Sequence, residues 1–165
     1  MTIAQTLLPE FDQEMATTRR VLERVPNDKA DWKPHQKSFS MAHLAQLVAM
    51  IPDWITQTLQ KTEIDIATGS PYKNQKTESL IEQFDRNVRG AHDAIAAAKD
   101  SDFAVNWSLK MGPQVLITQT RAAAVRSHIS HLVHHRAQVG MYLRLVDVAV
   151  PQMYGPTADE GWGKG

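Results

Sequence analysis

Apolar residues recur along most of this chain at steps of three and four, the period of a helix with one buried face. In residues 3–25, Leu7, Leu8, Phe11, Met15, Thr18, Leu22 and Val25 share a side, with polar residues opposite. Pro9 either marks the start of this helix or kinks it. Residues 41–60 carry the stripe Leu44, Leu47, Ile51, Ile55 and Leu59, with His43, Met50 and Trp54 close to it. Ser40 is placed to cap this helix and Pro52 to kink it. Residues 78–99 turn Leu80, Ile81, Phe84, Val88, Ala91 and Ile95 inward, with Thr77 as the cap and an alanine-rich last turn suited to close packing. A fourth pattern runs from 113 to 147, opened by Gly112-Pro113 with proline near the first helical position, and Pro151 ends it. Four such helices predict an all-α four-helix bundle. The connections fit. Residues 26–39 hold Pro26, Pro34 and Trp32, read as a lid on the bundle end. Residues 61–76 are long enough to cover a site. Residues 105–111 alternate loosely, like an extended segment. With no internal repeat, residues 1–165 form one domain, and residues 156–165 are expected to be a flexible tail.

Composition narrows the function. The chain has 165 residues, with Lys plus Arg equal to Asp plus Glu, and its charges are interspersed. That is not the footprint of a nucleic-acid binder. There is no cysteine, so disulfides, thiolate ligands and a cysteine nucleophile are all absent. Any metal must be held by His, Asp, Glu or water. The N-terminus lacks the layout of a signal peptide, and no apolar run is long enough to span a bilayer. The expectation is a soluble cytoplasmic protein acting on a small-molecule substrate, with neither nucleic acid nor membrane as partner. Signatures of dinucleotide binding, P-loops and zinc proteases are missing.

The chemistry concentrates in residues 127–145, where His128, His131, His134 and His135 lie within one helical pattern. With His128 at zero, His131 falls at about 300°, His135 at about 340° and His134 at about 240° around the helix. Three rings point one way and His134 points aside. The stripe extends through Arg121, Ala124, Gln138, Tyr142 and Leu145, the spacing of a seam that enters a bundle core. Single histidines in such places are usually surface or hydrogen-bonded core residues. The pair His131 and His135, four apart on an inward seam, is also suited to hold a metal between helices. Tyr142, Trp54, Met50 and Arg121 are candidates for a pocket wall, and Gln138 for a partner of a ligating ring. His134 and Arg136 read as surface or dimer residues. Val139 and Leu143, off the main seam, suggest a homodimer.

The run His131-x-x-x-His135-Arg136-x-Gln138, then YLRL and VPxxYGPxADE, together with DWKPHQKSFSM upstream and WSLKMG before the last helix, resembles the DinB-like superfamily. The similarity covers nearly the whole chain. It implies an up-down-down-up bundle, commonly dimeric, with a divalent metal held by three histidines. Two of these match His131 and His135; the third comes from the second helix. Zinc and nickel are the metals expected. Relatives with assigned activities are mostly S-transferases and isomerases that use a low-molecular-weight thiol.

One position departs from the family's pattern. The second-helix ligand falls where this chain has Leu47, and the nearest histidine on that helix, His43, is one turn earlier. A metal–imidazole bond of about 2.0–2.1 Å does not tolerate a one-turn shift. The candidate ligands are therefore His131, His135 and His43, with His128 as the alternative third. Two functions follow: a metal-dependent transferase or hydrolase, or a non-catalytic dimeric bundle whose site has degenerated. A DNA-repair role finds no support in the charge pattern.

Overall fold

The computed structural model describes residues 1–69 and 71–162. Helix α1 (Ile3–Leu22) opens on a capping box, in which Thr2 Oγ1 accepts from the Gln5 amide and Gln5 Oε1 accepts from the Thr2 amide. Two otherwise free N-terminal donors are thereby satisfied. Pro9 lies inside α1 without ending it. Helix α2 (Met41–Gln60) starts where the sequence placed it, with Ser40 Oγ accepting from the His43 amide, and runs through Pro52. Helix α3 (Thr77–Ala97) includes Thr77 as its first residue rather than its cap; the Thr77 hydroxyl donates instead to the Val25 carbonyl beyond α1. After a short helix α4 (Asp100–Phe103), the chain forms a hairpin before the long helix α5 (Arg121–Leu145).

That hairpin corrects the all-α expectation. Strands β1 (Glu63–Asp65), β2 (Asn106–Met111) and β3 (Gln114–Thr120) make a small sheet in that order. β1 lies parallel to β2, and β2 lies antiparallel to β3. Gly112, at φ +58°, makes the turn, and its amide donates to Asp65 Oδ1 at 2.9 Å. Positive φ is strained for residues with a Cβ, so glycine suits this position. The residues 114–120 are rich in Val, Ile and Thr, which fit a pleated surface better than a helix turn. Helix α5 therefore begins at Arg121, capped by Thr120, and not at residue 113.

α1 and α2 each pack mainly against α3 and α5, so they occupy opposite corners of the four-helix arrangement. Phe11, Leu22, Leu44, Ile51, Phe84, Ile95, Leu132 and Leu143 are fully buried between them. Among the described residues, no helix is long and apolar enough to cross a membrane.

Helix α5 sits in a different rotation from the one its histidines suggested. Its most buried stripe is Val125, Ile129, Leu132, Arg136, Val139 and Leu143. On a helical wheel this stripe lies about 100° from the mean of His131, His135, Gln138 and Tyr142. His131 and His135 border the core instead of entering it, His128 is buried, and Leu145 is exposed. Val139 and Leu143 belong to the protein's own core and cannot build a dimer face.

Arg136, expected at the surface, is 1% exposed. Its Nη1 lies 2.6 Å from Glu14 Oε2 and donates to the Glu14 carbonyl and to Thr18 Oγ1. Tyr154 donates to Glu14 Oε1 at 2.8 Å and lays its ring 5.2 Å from the guanidinium carbon. A charge at this depth is tolerated because it is paired and hydrogen-bonded. Tyr154 brings the C-terminal segment with it. Asp159 pairs with Arg144 and accepts from the Val150 amide, and Glu160 pairs with Arg20 and Arg24 and accepts from the Gln152 amide. Residues 156–160 are thus fastened to the bundle where a flexible tail was expected; residues 163–165 lie outside the described residues.

Candidate functional site

α2 and α5 run antiparallel, and four contacts fix their register. Phe39, just before α2, accepts through its carbonyl from the Tyr142 hydroxyl at 3.3 Å. The Trp54 ring lies 5.8 Å from that of His131. Thr58 Oγ1 is 3.0 Å from His128 Nε2. The Lys61 carbonyl accepts from Arg121 Nη2 at 3.1 Å. Each histidine of α5 therefore faces a known level of α2.

His131 and His135 are brought together. Their Nε2 atoms are 2.8 Å apart, and both rings are half-buried. Gln138 sets the protons: its Oε1 is 2.7 Å from His135 Nδ1, and its Nε2 is 3.1 Å from His134 Nε2. The amide oxygen accepts, so His135 carries its hydrogen on Nδ1 and turns the Nε2 lone pair toward His131. Gln138 is thus a hydrogen-bond partner of His135. Burial lowers the pKa of His131, and the neighbouring charges of His135 and His134 lower it further. Burial lowers that of His135 against the opposing effect of the Gln138 hydrogen bond. Both rings are neutral at pH 7, the state in which imidazole ligates a metal.

The other two candidates are held elsewhere. His128 is 8% exposed, with Nε2 on Thr58 and its ring edge-on to Trp107 at 5.6 Å. Burial and then the His131 charge push its pKa down to about 4. His43 is sandwiched between Phe39 and Tyr72, with ring centroids at 4.2 and 4.0 Å. Among the described residues, no three His, Cys, Asp or Glu side chains lie close enough to enclose an ion.

The register explains the position of His43. Interpolating between the four contacts, Leu47 stands level with about residue 136 of α5. Leu47 and Trp54 are two turns apart, about 20° different in direction, so Leu47 faces the histidine stripe. His43 is a further turn away, about 6 Å toward Tyr142, where its ring joins the aromatic stack.

Of the proposed pocket wall, Trp54 lies against His128 and His131. Tyr142 packs edge-on against Trp32 at 5.4 Å. The Arg121 Nη2 on the Lys61 carbonyl closes the C-terminal end of α2. Thr58 and Trp107, which hold His128, were not singled out from the sequence. Thr58 did carry a signal, being four residues after Trp54 and on its face. Trp107 carried only the loose alternation of residues 105–111, and the pairing of β2 with β3 turns it inward.

The DinB family model matches residues 1–163. The chain belongs to the DinB family. Its fold is similar to that of DinB-like proteins from Bacillus subtilis (TM-score 0.71, 13% identity, covering 90% of this chain and 97% of that one) and from Bacillus cereus (0.69, 16%, 89% and 95%). A DinB-family member from Exiguobacterium sibiricum is similar too (0.67, 18%, 92% and 97%). At these identities the likeness concerns the fold alone. No curated protein matches the sequence.

The three-histidine set implied by the DinB resemblance does not fit the side chains of this member, because Leu47 stands at the second-helix position. The remaining pair does fit a cation. Two nitrogens that share an ion at about 2.0–2.1 Å are about 2.9 Å apart at a right angle and about 3.3 Å apart at the tetrahedral angle. The 2.8 Å between His131 and His135 is a hydrogen bond, which His131 Nε2–H donates to His135 Nε2, and it is close to the spacing of adjacent corners of an octahedron. The hydrogen-bonded outer nitrogen of His135 is the second feature of a ligating imidazole.

Proposed function

We propose that this DinB-family protein is a divalent-metal-dependent enzyme acting on a small molecule, with His131 and His135 as the two protein ligands. The single observation that carries this reading is the convergence of their Nε2 atoms, with His135 oriented from behind by Gln138. A bound cation such as nickel or zinc would act as a Lewis acid and lower the pKa of a coordinated water or thiol, the nucleophile that a chain without cysteine does not contain. Gln138 fixes the tautomer and ring plane of His135. Trp54, with its ring 5.8 Å from that of His131, gives the pair an apolar neighbour on the α2 side. Thr58 holds His128 in the core beside His131, apart from the pair.

The test is elemental analysis of untagged protein together with a thermal-shift titration using nickel and zinc. Wild type should carry metal and gain melting temperature, and His131→Ala and His135→Ala should lose both effects. Less than about a tenth of an equivalent per chain, with no thermal shift, would sink the proposal. A second reading, a non-catalytic DinB-family bundle with a degenerate site, draws on Leu47 and on the capture of His43 by Phe39 and Tyr72. That outcome of the titration would favour it.

A further inference from the structure

We propose that β3 is the contact edge for a second copy of this chain. Two β3 strands pair antiparallel across a two-fold axis at Thr118, joining two three-stranded sheets into one.

β3 is the outer strand of the sheet, so one of its sides is open. The Arg121 amide, just past β3, donates to the Val105 carbonyl, toward β2. The N–H and C=O of a strand residue point to the same side, and the side alternates along the strand. Gln119 and Ile117 therefore bond toward β2, and Thr118 and Thr120 face outward. β2 keeps the same parity: the Ser108 amide donates to the Thr62 carbonyl, away from β3. Among the described residues, no strand lies beside the outward groups of Thr118.

This edge is lightly guarded. Residues 114–120 contain no charged residue and no proline, two of the devices that keep native edges apart. Val115, Leu116 and Ile117 are 54, 39 and 48% exposed. The one device present is a bulge: Leu109 pairs with Ile117 and Lys110 with Val115, which leaves Leu116 as the extra residue. The regular edge is thus residues 117–120.

Charge and pattern select the occupant. An antiparallel copy centres where an outward residue meets itself, and Thr118 is the outward residue on the regular edge with both backbone groups free. Ile117 then stands opposite the copy's Gln119, and Thr118 opposite the copy's Thr118, so no charge is buried or opposed. Two chains of zero formal net charge approach without repulsion. A foreign strand would be selected by side-chain pockets beside the edge. The cavity at Val25, Asn27, Gln46 and Leu80 and the groove at Ala137, Met141, Val150 and Met153 are lined by no residue of β3. One short ladder covers far less than the roughly 800 Å² per partner of a stable complex, so the dimer is weak, with a dissociation constant on the order of 100 µM.

The experiment is sedimentation equilibrium of the untagged full chain from about 5 µM to about 1 mM. Wild type should pass from monomer to dimer. Thr118→Lys sets two like charges opposite each other at the axis and should weaken the dimer about tenfold or more, with its fold checked by circular dichroism. Thr118→Cys gives the chain its only thiol, and the Cα separation of about 5.5 Å across such a pair lies within the reach of a disulfide. With oxidised glutathione it should cross-link about tenfold faster than Ser79→Cys, on an exposed turn of α3. A wild type that stays monomeric to about 1 mM would overturn the proposal and leave the edge to a foreign segment. Growth beyond a dimer would overturn it too. So would a dimer that Thr118→Lys leaves intact, with Thr118→Cys no faster than Ser79→Cys. If Thr118→Lys does not fold, the cysteine comparison decides.

Discussion

Protonation of His128 should make this protein acid-labile between pH 6.5 and 4. The ring is 8% exposed, accepts or donates at Thr58 and is flanked by Trp54 and Trp107. Burial, then the His131 charge, lowers its pKa from 6.5 to about 4. A depressed histidine pKa means that the unfolded chain takes up a proton first as the pH falls. Stability attributable to His128 is fully present above pH 6.5, is lost progressively below it, and reaches its floor near pH 4. A tenfold difference in proton affinity between the folded and unfolded chain corresponds to about 1.4 kcal/mol, so the full loss is about 3 kcal/mol. His43, His131 and His135 are displaced in the same direction and add to the acid sensitivity, so a variant is needed to isolate one ring. His128→Gln keeps a hydrogen-bonding partner for Thr58 and does not titrate. Urea unfolding of both proteins at intervals from about pH 7.5 to 4 gives the difference curve. It should be flat above about pH 7 and move by about 3 kcal/mol in favour of the variant by pH 4. A difference curve that stays flat throughout would refute the assignment of His128 as a neutral core histidine.

Two further outcomes follow from the packing. Arg136→Ala leaves Glu14 without its partner in the core and should cost about 3–5 kcal/mol in urea unfolding, while the Glu14→Leu/Arg136→Met pair should recover most of that loss; a single-variant cost under about 1 kcal/mol would mean the ion pair does not form in solution. Strand β3 is an uncharged edge with Val115 and Ile117 about half exposed, so Val115→Lys should leave stability within about 0.5 kcal/mol and lower light scattering in concentrated samples. Unchanged scattering would show that the edge is not sticky.

What the sequence determined by itself is local. Ser40 as a cap and the apolar steps from Leu44 to Leu59 set α2 to its observed bounds, because capping and amphipathic periodicity involve residues within a turn or two. The approach of His131 to His135 was legible for the same reason, since positions four apart on a helix are always neighbours. The interior of a third long helix was equally plain, and only its ends depart from the pattern: Thr77, which binds the Val25 carbonyl, is its first residue, and it stops at Ala97 rather than 99. Beyond that reach only the tertiary structure decides. Residues 114–120 became a strand because β2 lies alongside them, and a helix and a strand were both open to that short apolar run until the pairing existed. The rotation of α5 differs from the one its histidines suggested because Val125, Ile129, Leu132, Val139 and Leu143 make the buried face, and Arg136 joins them only because Glu14, on the far-off first helix, pairs with it. The site was divided along the same line. The pair on α5 belongs to one helix, whereas the third donor depends on the sliding register of α2 against α5, and that register is set by Phe39, Trp54, Thr58 and Lys61 meeting their partners across the interface. Packing of two helices fixes the level of every side chain to within a fraction of a turn, and that is why His43 joins Phe39 and Tyr72 and stands apart from His131 and His135 in space.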